Sequence, residues 1–300
     1  MYNSCTLEEK ILYISKCEYQ YFLNKRNVVG VGFGNKIKNG FDTGEKCITV
    51  FVTHKLPANE IPMKDLIPAI YKNIQTDVIE CGIITPSSLT NKIRPIPGGY
   101  AISTPTKLGG TLGCFATDES NTYLLTCNHV IAINGDIRLF TPILQPSFNF
   151  GGTAPKDAVA NLSKYIKVNE GTENKVDCAI AQVTDLHNIS KNIAIINKPL
   201  RGIVDAKIGM RVQKIGYITE RTLGKITVIG STFNLTMWGK SYKFVDQIWT
   251  TKMDDKGDSG SILIDQFMNA VGLLMSSSTK GTQYNPIKNV LSSLNIELLK

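Results

Sequence analysis

Three short strings in the chain combine the residue types that nucleophilic catalysis requires. Leu124-Leu125-Thr126-Cys127-Asn128-His129-Val130 carries a histidine at the end of an apolar run. Val176-Asp177-Cys178-Ala179-Ile180 places a carboxylate at the mouth of another, and Gly257-Asp258-Ser259-Gly260-Ser261 sets a serine between glycines ahead of Ile262-Leu263-Ile264. A serine hydroxyl is a weak nucleophile until an imidazole takes its proton, and the imidazole needs a carboxylate to hold its tautomer and stabilise its charged form. Together the three are the equipment of acyl transfer: His129 as general base and acid, Asp177 as its orienter, Ser259 as nucleophile. Gly257 permits a tight turn that aims its own amide and that of Ser259 at one point, where they would bind an oxyanion, a contribution of roughly 3–4 kcal/mol per donor. Singly, each string has a plain reading. A histidine after a strand is more often structural, Asp177 alone reads as a turn cap, and GDSG alone reads as a turn. Their joint presence, each in a β context, favours chemistry.

Such a trio needs a scaffold that brings distant segments together. From about Gly98 the chain reads as short strands divided by turns, the pattern of an all-β barrel or sandwich. The first set is Thr111–Ala116, Tyr123–Thr126, Ile137–Thr141, Asp157–Leu162 and Asp177–Val183. The second is Arg211–Gly216, Gly224–Gly230, Tyr242–Thr250, Ser261–Asp265 and Ala270–Met275. Ile287, Val290, Leu291 and Leu294 then form one face of a terminal helix over 285–300, capped by Asn285-Pro286. Two strand groups and a helix predict a mainly β fold of two antiparallel barrels, about 98–190 and 200–280, side by side.

The first ninety residues read differently. Thr6-Leu7-Glu8-Glu9 fits a capping box, and Leu7, Ile11, Ile14, Cys17 and Tyr21 recur on one helical face, predicting a helix that runs to about Asn27. Strands are expected at Val28–Gly34, Cys47–Val52 and Thr76–Glu80, with a turn through Lys38-Asn39-Gly40 and an interrupted helix over Leu56–Tyr71. Gly30, Gly32 and Gly34 lack the spacing of a dinucleotide fingerprint and read as close backbone packing. His54 reads as a surface loop residue. The segment 86–97, polar and proline-rich, reads as a linker, so the organisation is a small α+β module over 1–93 and a β domain over 94–300.

Composition narrows the function classes. With 300 residues, 42% hydrophobic and 19% charged, the chain supplies a sizeable core and is neither disordered nor fibrous. The net charge of +8 comes from scattered lysines without interleaved aromatics, so solubility rather than nucleic-acid binding is the expected meaning. No apolar run approaches the ~20 residues of a membrane span, and the first residues do not form a secretory signal. Seven cysteines without a CxxC pair read as free thiols in a reducing cytoplasm. Cys127 and Cys178 read as small core residues rather than nucleophiles.

TCNHV, VDCAI and GDSGS resemble the three active-site motifs of trypsin-like (chymotrypsin-fold) serine peptidases, over about residues 98–300. The likeness extends to Thr111-Leu112-Gly113-Cys114 and the terminal helix. The N-terminal module, with VVGVGFG and VFVTHKLP, resembles that of bacterial peptidases related to plant narrow-leaf-type peptidases. The resemblance implies a serine endopeptidase acting through an acyl-enzyme, with His129, Asp177 and Ser259 as the triad and the amides of Gly257 and Ser259 as the oxyanion hole. It implies a protein or peptide substrate and neither metal nor cofactor. It places Met253 at the base of a specificity pocket, followed by Asp254, with Ser276 and Ser277 bordering it. Met253 favours an apolar side chain there, whereas Asp254, turned inward, favours Lys or Arg; the plainer reading of Asp254-Asp255 is a solvated acidic turn. A catalytically silent peptide-binding module is the alternative. In secreted relatives the aspartate before the serine pairs with a newly cut N-terminal amine. Arg94-Pro95 only faintly echoes that cut, so Asp258 needs another partner. Ser261 stands where the family has glycine. The N-terminal module is a candidate for restraint, partner binding or homo-oligomer formation.

Overall fold

Thr6 opens the first helix, Leu7–Cys17, and accepts the Glu9 amide while the Glu9 side chain returns to the Thr6 amide, closing the capping box. Of the expected apolar face only Ile11 and Ile14 are buried; Leu7, Cys17 and Tyr21 face solvent. The helix stops at Cys17 rather than Asn27. A second short helix, Gln20–Leu23, follows and seats Phe22 in the core with Ile11, Ile14, Ile48, Val50 and Ile74. These elements cover a sheet in the order Val28–Lys38, Phe41–Val52, Ile74–Glu80, Ile70–Tyr71, in which Phe41–Val52 and Ile74–Glu80 run parallel. Gly30, Gly32 and Gly34 are paired strand residues, and a side chain at Gly34 would meet Thr49 Oγ1 at 2.5 Å. The helix expected over Leu56–Tyr71 is replaced by two 3-10 turns, Ala58–Glu60 and Met63–Asp65, each launched after a proline that cannot continue a helix from the preceding turn. His54 is exposed, as expected of a loop residue.

The computed structural model describes residues 6–38, 41–82, 89–106 and 109–299, and divides the chain into two compact units, Met1–Pro86 and Ser87–Lys300. Part of the turn expected at 38–40 lies outside the described residues. Residues 89–97, which composition marks as linker, are packed within the second unit. Leu89 and Ile96 are buried, Arg94 donates to Gln145 O at 2.8 Å, and Ile96–Gly98 pairs with Ile189–Ile193. Polar side-chain bonds anchor this segment, which is why its composition resembles a free linker.

The second unit is mainly β. A six-stranded sheet runs in the order Pro142–Leu144, Ala158–Tyr165, Ala179–Val183, Thr122–Thr126, Cys114–Thr117, Glu297–Leu298. A second sheet pairs Lys240–Thr251, Glu220–Met237, Arg211–Gly216, Ile262–Asp265, Asn269–Ser277 and Gly281–Pro286 in turn. The last pairs again with the first, so the ring closes. Four sequence expectations shift. Ile137–Thr141 is not a strand; Pro142–Leu144 is. The strand expected at Gly224–Gly230 runs from Glu220 to Met237, passing Gly230 because its partner Lys240–Thr251 continues beside it. Gly281–Pro286 is a strand missed by its polar composition, buried because its side chains hydrogen-bond inside the second unit. The terminal helix spans Ile287–Leu294, not 285–300. Pro286 precedes it without a side-chain cap, and the chain then returns to the first sheet at Glu297–Leu298. The face Ile287, Val290, Leu291, Leu294 is buried as its spacing implies. No helix among the described residues is long and apolar enough to cross a membrane.

Candidate active site

Adjacency of two antiparallel strands brings the first two site residues together. Thr122–Thr126 and Ala179–Val183 pair with Thr126 opposite Ala179, so the end of one strand and the start of the other lie at the same edge of the sheet. Cys127 and His129 leave that edge into the short helix Asn128–Ile131, and Asp177 enters it. Asn128, fully buried, fixes this turn by donating to Ile166 O at 2.9 Å and accepting the Asn134 amide at 2.8 Å. Asp177 is fully buried. One carboxylate oxygen accepts the His129 amide at 3.1 Å, and the other faces His129 Nδ1 in a short hydrogen bond. The Asp177 amide donates to Asn285 Oδ1 at 2.8 Å, and Asn285 Nδ2 donates to Gln247 Oε1 at 2.7 Å. Asn285 was read from the sequence as a helix cap; it is a buried bracket for the aspartate.

Burial disfavours the charged imidazole, but the Asp177 charge and hydrogen bond outweigh it, and the His129 pKa lies above its ordinary value. With Nδ1 held by Asp177, Nε2 is the nitrogen left to exchange a proton. The His129 side chain remains 23% exposed at the cleft.

Ser259 comes from the second sheet, on the turn before Ile262–Asp265. Gly260 donates to Leu274 O at 2.9 Å and Thr111 donates to Ser259 O at 2.8 Å, tying this turn to the strand Asn269–Ser277 and to the segment that precedes the histidine strand. Cys127 Sγ reaches the same Leu274 carbonyl at 3.0 Å, so the histidine segment and the serine turn share an anchor. Ser259 Oγ donates to Met275 O at 3.4 Å and makes no hydrogen bond to His129. The amides of Gly257 and Ser259 have no partner among the described residues, whereas those of Asp258, Gly260 and Ser261 are all used. Gly257 has φ +118°, and a side chain there would meet Tyr217 Oη at 2.6 Å, so both conformation and space require glycine.

The turn is held from behind by a buried ion pair. Lys214 Nζ lies 2.8 Å from Asp258 Oδ2, and neither side chain has any exposed surface. Asp258 also accepts from Thr219 Oγ1 at 2.5 Å and from the amides of Ile218 at 3.0 Å, Thr219 at 3.3 Å and Asp255 at 3.0 Å. Burial opposes the Asp258 carboxylate, but Lys214 and these donors hold its pKa below the usual range. Lys214 has fewer compensating partners, and burial lowers its pKa more than Asp258 raises it. The partner that Asp258 lacked in sequence is therefore a lysine from the neighbouring strand, Arg211–Gly216. Ser261, where glycine was expected, is accommodated: its hydroxyl donates to Asp258 O at 2.5 Å and closes the same turn.

The residues expected at a specificity pocket are dispersed. Met253 is 2% exposed and packs in the second core cluster with Tyr284 and Leu263. Asp254 is buried, and its Oδ1 accepts Lys252 Nζ at 3.0 Å and Thr282 Oγ1 at 2.5 Å. Ser276 and Ser277, by contrast, line a cleft of about 420 Å³ with His129, Met275 and the hairpin tip Leu235–Trp238. The tip was missed in the sequence, although Phe233, Leu235 and Met237 alternate as half-buried strand residues and Trp238-Gly239 turns with positive φ. Cys127 and Cys178 are fully buried, and burial pushes both thiols well up, which leaves them inert as nucleophiles.

No family model and no curated protein matches the chain. Solved structures do. Protease A of Thermobifida fusca is 17% identical with a TM-score of 0.52, over 68% of this chain and 98% of that one. A Nocardiopsis protease is 20% identical at 0.52, over 68% and 99%. A glutamic acid-specific serine protease is 17% identical at 0.51, over 68% and 100%. The fold is that of chymotrypsin-like serine proteases.

Two outcomes follow from the site. Replacing Lys214 by Met leaves a buried carboxylate unpaired, and urea denaturation is expected to show a loss of about 3–5 kcal/mol; a loss under about 1 kcal/mol contradicts the pair's role. An imidazole accepts a proton only in its neutral form, so with its pKa raised His129 is neutral only above the ordinary imidazole range of about 6.5. The pH profile of Ser259 acylation is expected to fall on the acid side with a midpoint above that value, and a midpoint at or below it contradicts the Asp177 coupling.

Proposed function

We propose that the chain is a serine endopeptidase that cleaves protein or peptide substrates through an acyl-enzyme. The observation that carries this reading is the pair of amides at Gly257 and Ser259, unpartnered among the described residues, on the turn that also carries the serine, in a fold that ties this turn and the segment of the His129–Asp177 couple to one carbonyl, Leu274 O. A scissile carbonyl placed on the two amides gives Ser259 its target. Ser259 Oγ gives up its long bond to Met275 O and bonds Nε2 once substrate is seated, since catalytic hydrogen bonds tighten in the substrate complex. His129 takes the hydroxyl proton, Asp177 stabilises the imidazolium, and the amides receive the oxyanion as the tetrahedral intermediate forms. The proton passes to the leaving amine, and water repeats the sequence to release the acyl group. Asn285 and Asn128 are positioning residues for Asp177 and His129.

The cleft suits an extended peptide running along Met275–Ser277 under the hairpin tip. Asp254 is neutralised by Lys252, so selection for Lys or Arg before the scissile bond is not expected of this chain.

Ser259→Ala is expected to reduce turnover of an unstructured protein such as casein by at least about 10³-fold with the circular dichroism spectrum unchanged; retained turnover removes Ser259 as nucleophile, and inactivity of the unaltered chain favours the silent binding module. In a peptide-library cleavage profile, Lys252→Met is expected to leave the preference of the unaltered chain in place, because Asp254 is buried, is also held by Thr282 and does not line the cleft. A new preference for Lys or Arg places Asp254 in the pocket instead.

A further inference from the structure

We infer that Cys127, His129 and Asp177 form a zinc site that switches off the reaction. The inference rests on the triad reading above, but its metal chemistry is carried by geometry of its own. Cys127 Sγ, an imidazole nitrogen of His129 and a carboxylate oxygen of Asp177 all lie within 4.8 Å of one another. Zinc bonds of about 2.3 Å to sulfur and about 2.0–2.2 Å to nitrogen and oxygen require donors roughly 3–4 Å apart, so side-chain adjustments of about an ångström complete the set. A thiolate, an imidazole and a carboxylate are a zinc donor set, with the fourth position left to water.

Cys127 makes this set particular to the chain. It is a free thiol, the reaction gives it no chemical task, and its hydrogen bond to Leu274 O at 3.0 Å is one that a serine there would also make. The neighbouring thiol, Cys178, is not part of the cluster. His129 is the partly exposed member and borders the cleft, so the ion reaches the two buried donors past the imidazole.

The chemistry of inhibition follows from the ring. On binding, the Cys127 S–H bond breaks, an S–Zn bond forms, and the proton leaves to solvent; nothing is oxidised or reduced. The ring nitrogen on the Asp177 side is Nδ1. When zinc takes its electron pair, the ring proton resides on Nε2, which then presents N–H instead of a lone pair to Ser259. The base is lost while the peptide cleft stays open, so zinc lowers kcat with little change in KM.

The test uses the full chain, Cys127→Ser, and Cys127→Ala as a second variant should the first fold poorly. Cadmium, as a spectroscopic substitute, is expected to give a thiolate–cadmium charge-transfer band with the unaltered chain that is smaller by one equivalent in the variants. Zinc is expected to inhibit peptide turnover reversibly, with recovery on adding EDTA. The half-inhibiting concentration, with each protein scaled to its own metal-free turnover, should rise at least about tenfold in Cys127→Ser. Equal cadmium bands, or equal zinc sensitivity in all three proteins, overturns the site while leaving the peptidase reading intact. A cadmium band that depends on Cys127 in a chain that never turns over peptide supports the site and removes the peptidase reading instead.

Discussion

Two opposite charges with no access to water hold the part of this molecule on which everything else depends. Removing a lysine and an aspartate from solvent costs several kcal/mol per ion, and mutual attraction offsets that only with good geometry and further hydrogen bonds. Asp258 has them: beyond the ammonium of Lys214 it accepts a hydroxyl and three amides. The consequence is local and chemical. With the Asp258 side chain fixed beneath the turn, residues 255–261 have one arrangement, in which two amides are left without protein partners beside the serine. Secreted peptidases of the resembled family obtain a similar anchor from a new chain end. Here the cation is a side chain on a strand of the same unit.

The second constraint is topological. His129 and Asp177 lie far apart in sequence yet share one edge, because the strands before and after them are antiparallel neighbours. Packing of the two sheets then places the serine turn against that edge through the Leu274 carbonyl, which receives both Gly260 N and Cys127 Sγ. The same proximity that couples His129 to Asp177 puts the Cys127 thiol within 4.8 Å of both.

The legible parts of the sequence were those whose signal is local. The three motif strings combine turn chemistry with apolar runs within a few residues, and the terminal helix shows its buried face by spacing alone. What stayed hidden depends on partners remote in the chain. Lys214 looks like an ordinary polar residue between Gln213 and Ile215, and nothing nearby marks it as the counter-ion of Asp258. Asn285 resembled a cap, although its side chain serves an aspartate on the other sheet. Gly230 suggested a strand end, but continuous pairing with Lys240–Thr251 carries the hairpin on to Met237 and over the cleft. Residues 89–97 resembled a linker because their anchors are polar. Asp254 looked like an acid free to turn into a pocket, but its burial and its bonds to Lys252 and Thr282 depend on residues whose positions the sequence does not show.

The most direct measurement is mass spectrometry of the intact, unprocessed chain after brief treatment with a fluorophosphonate. A turn anchored by Lys214 predicts a single adduct, mapped to the peptide bearing Ser259, on chains that keep their original N-terminus. Adduct formation only after the polypeptide has been cut, or on a residue other than Ser259, would contradict it.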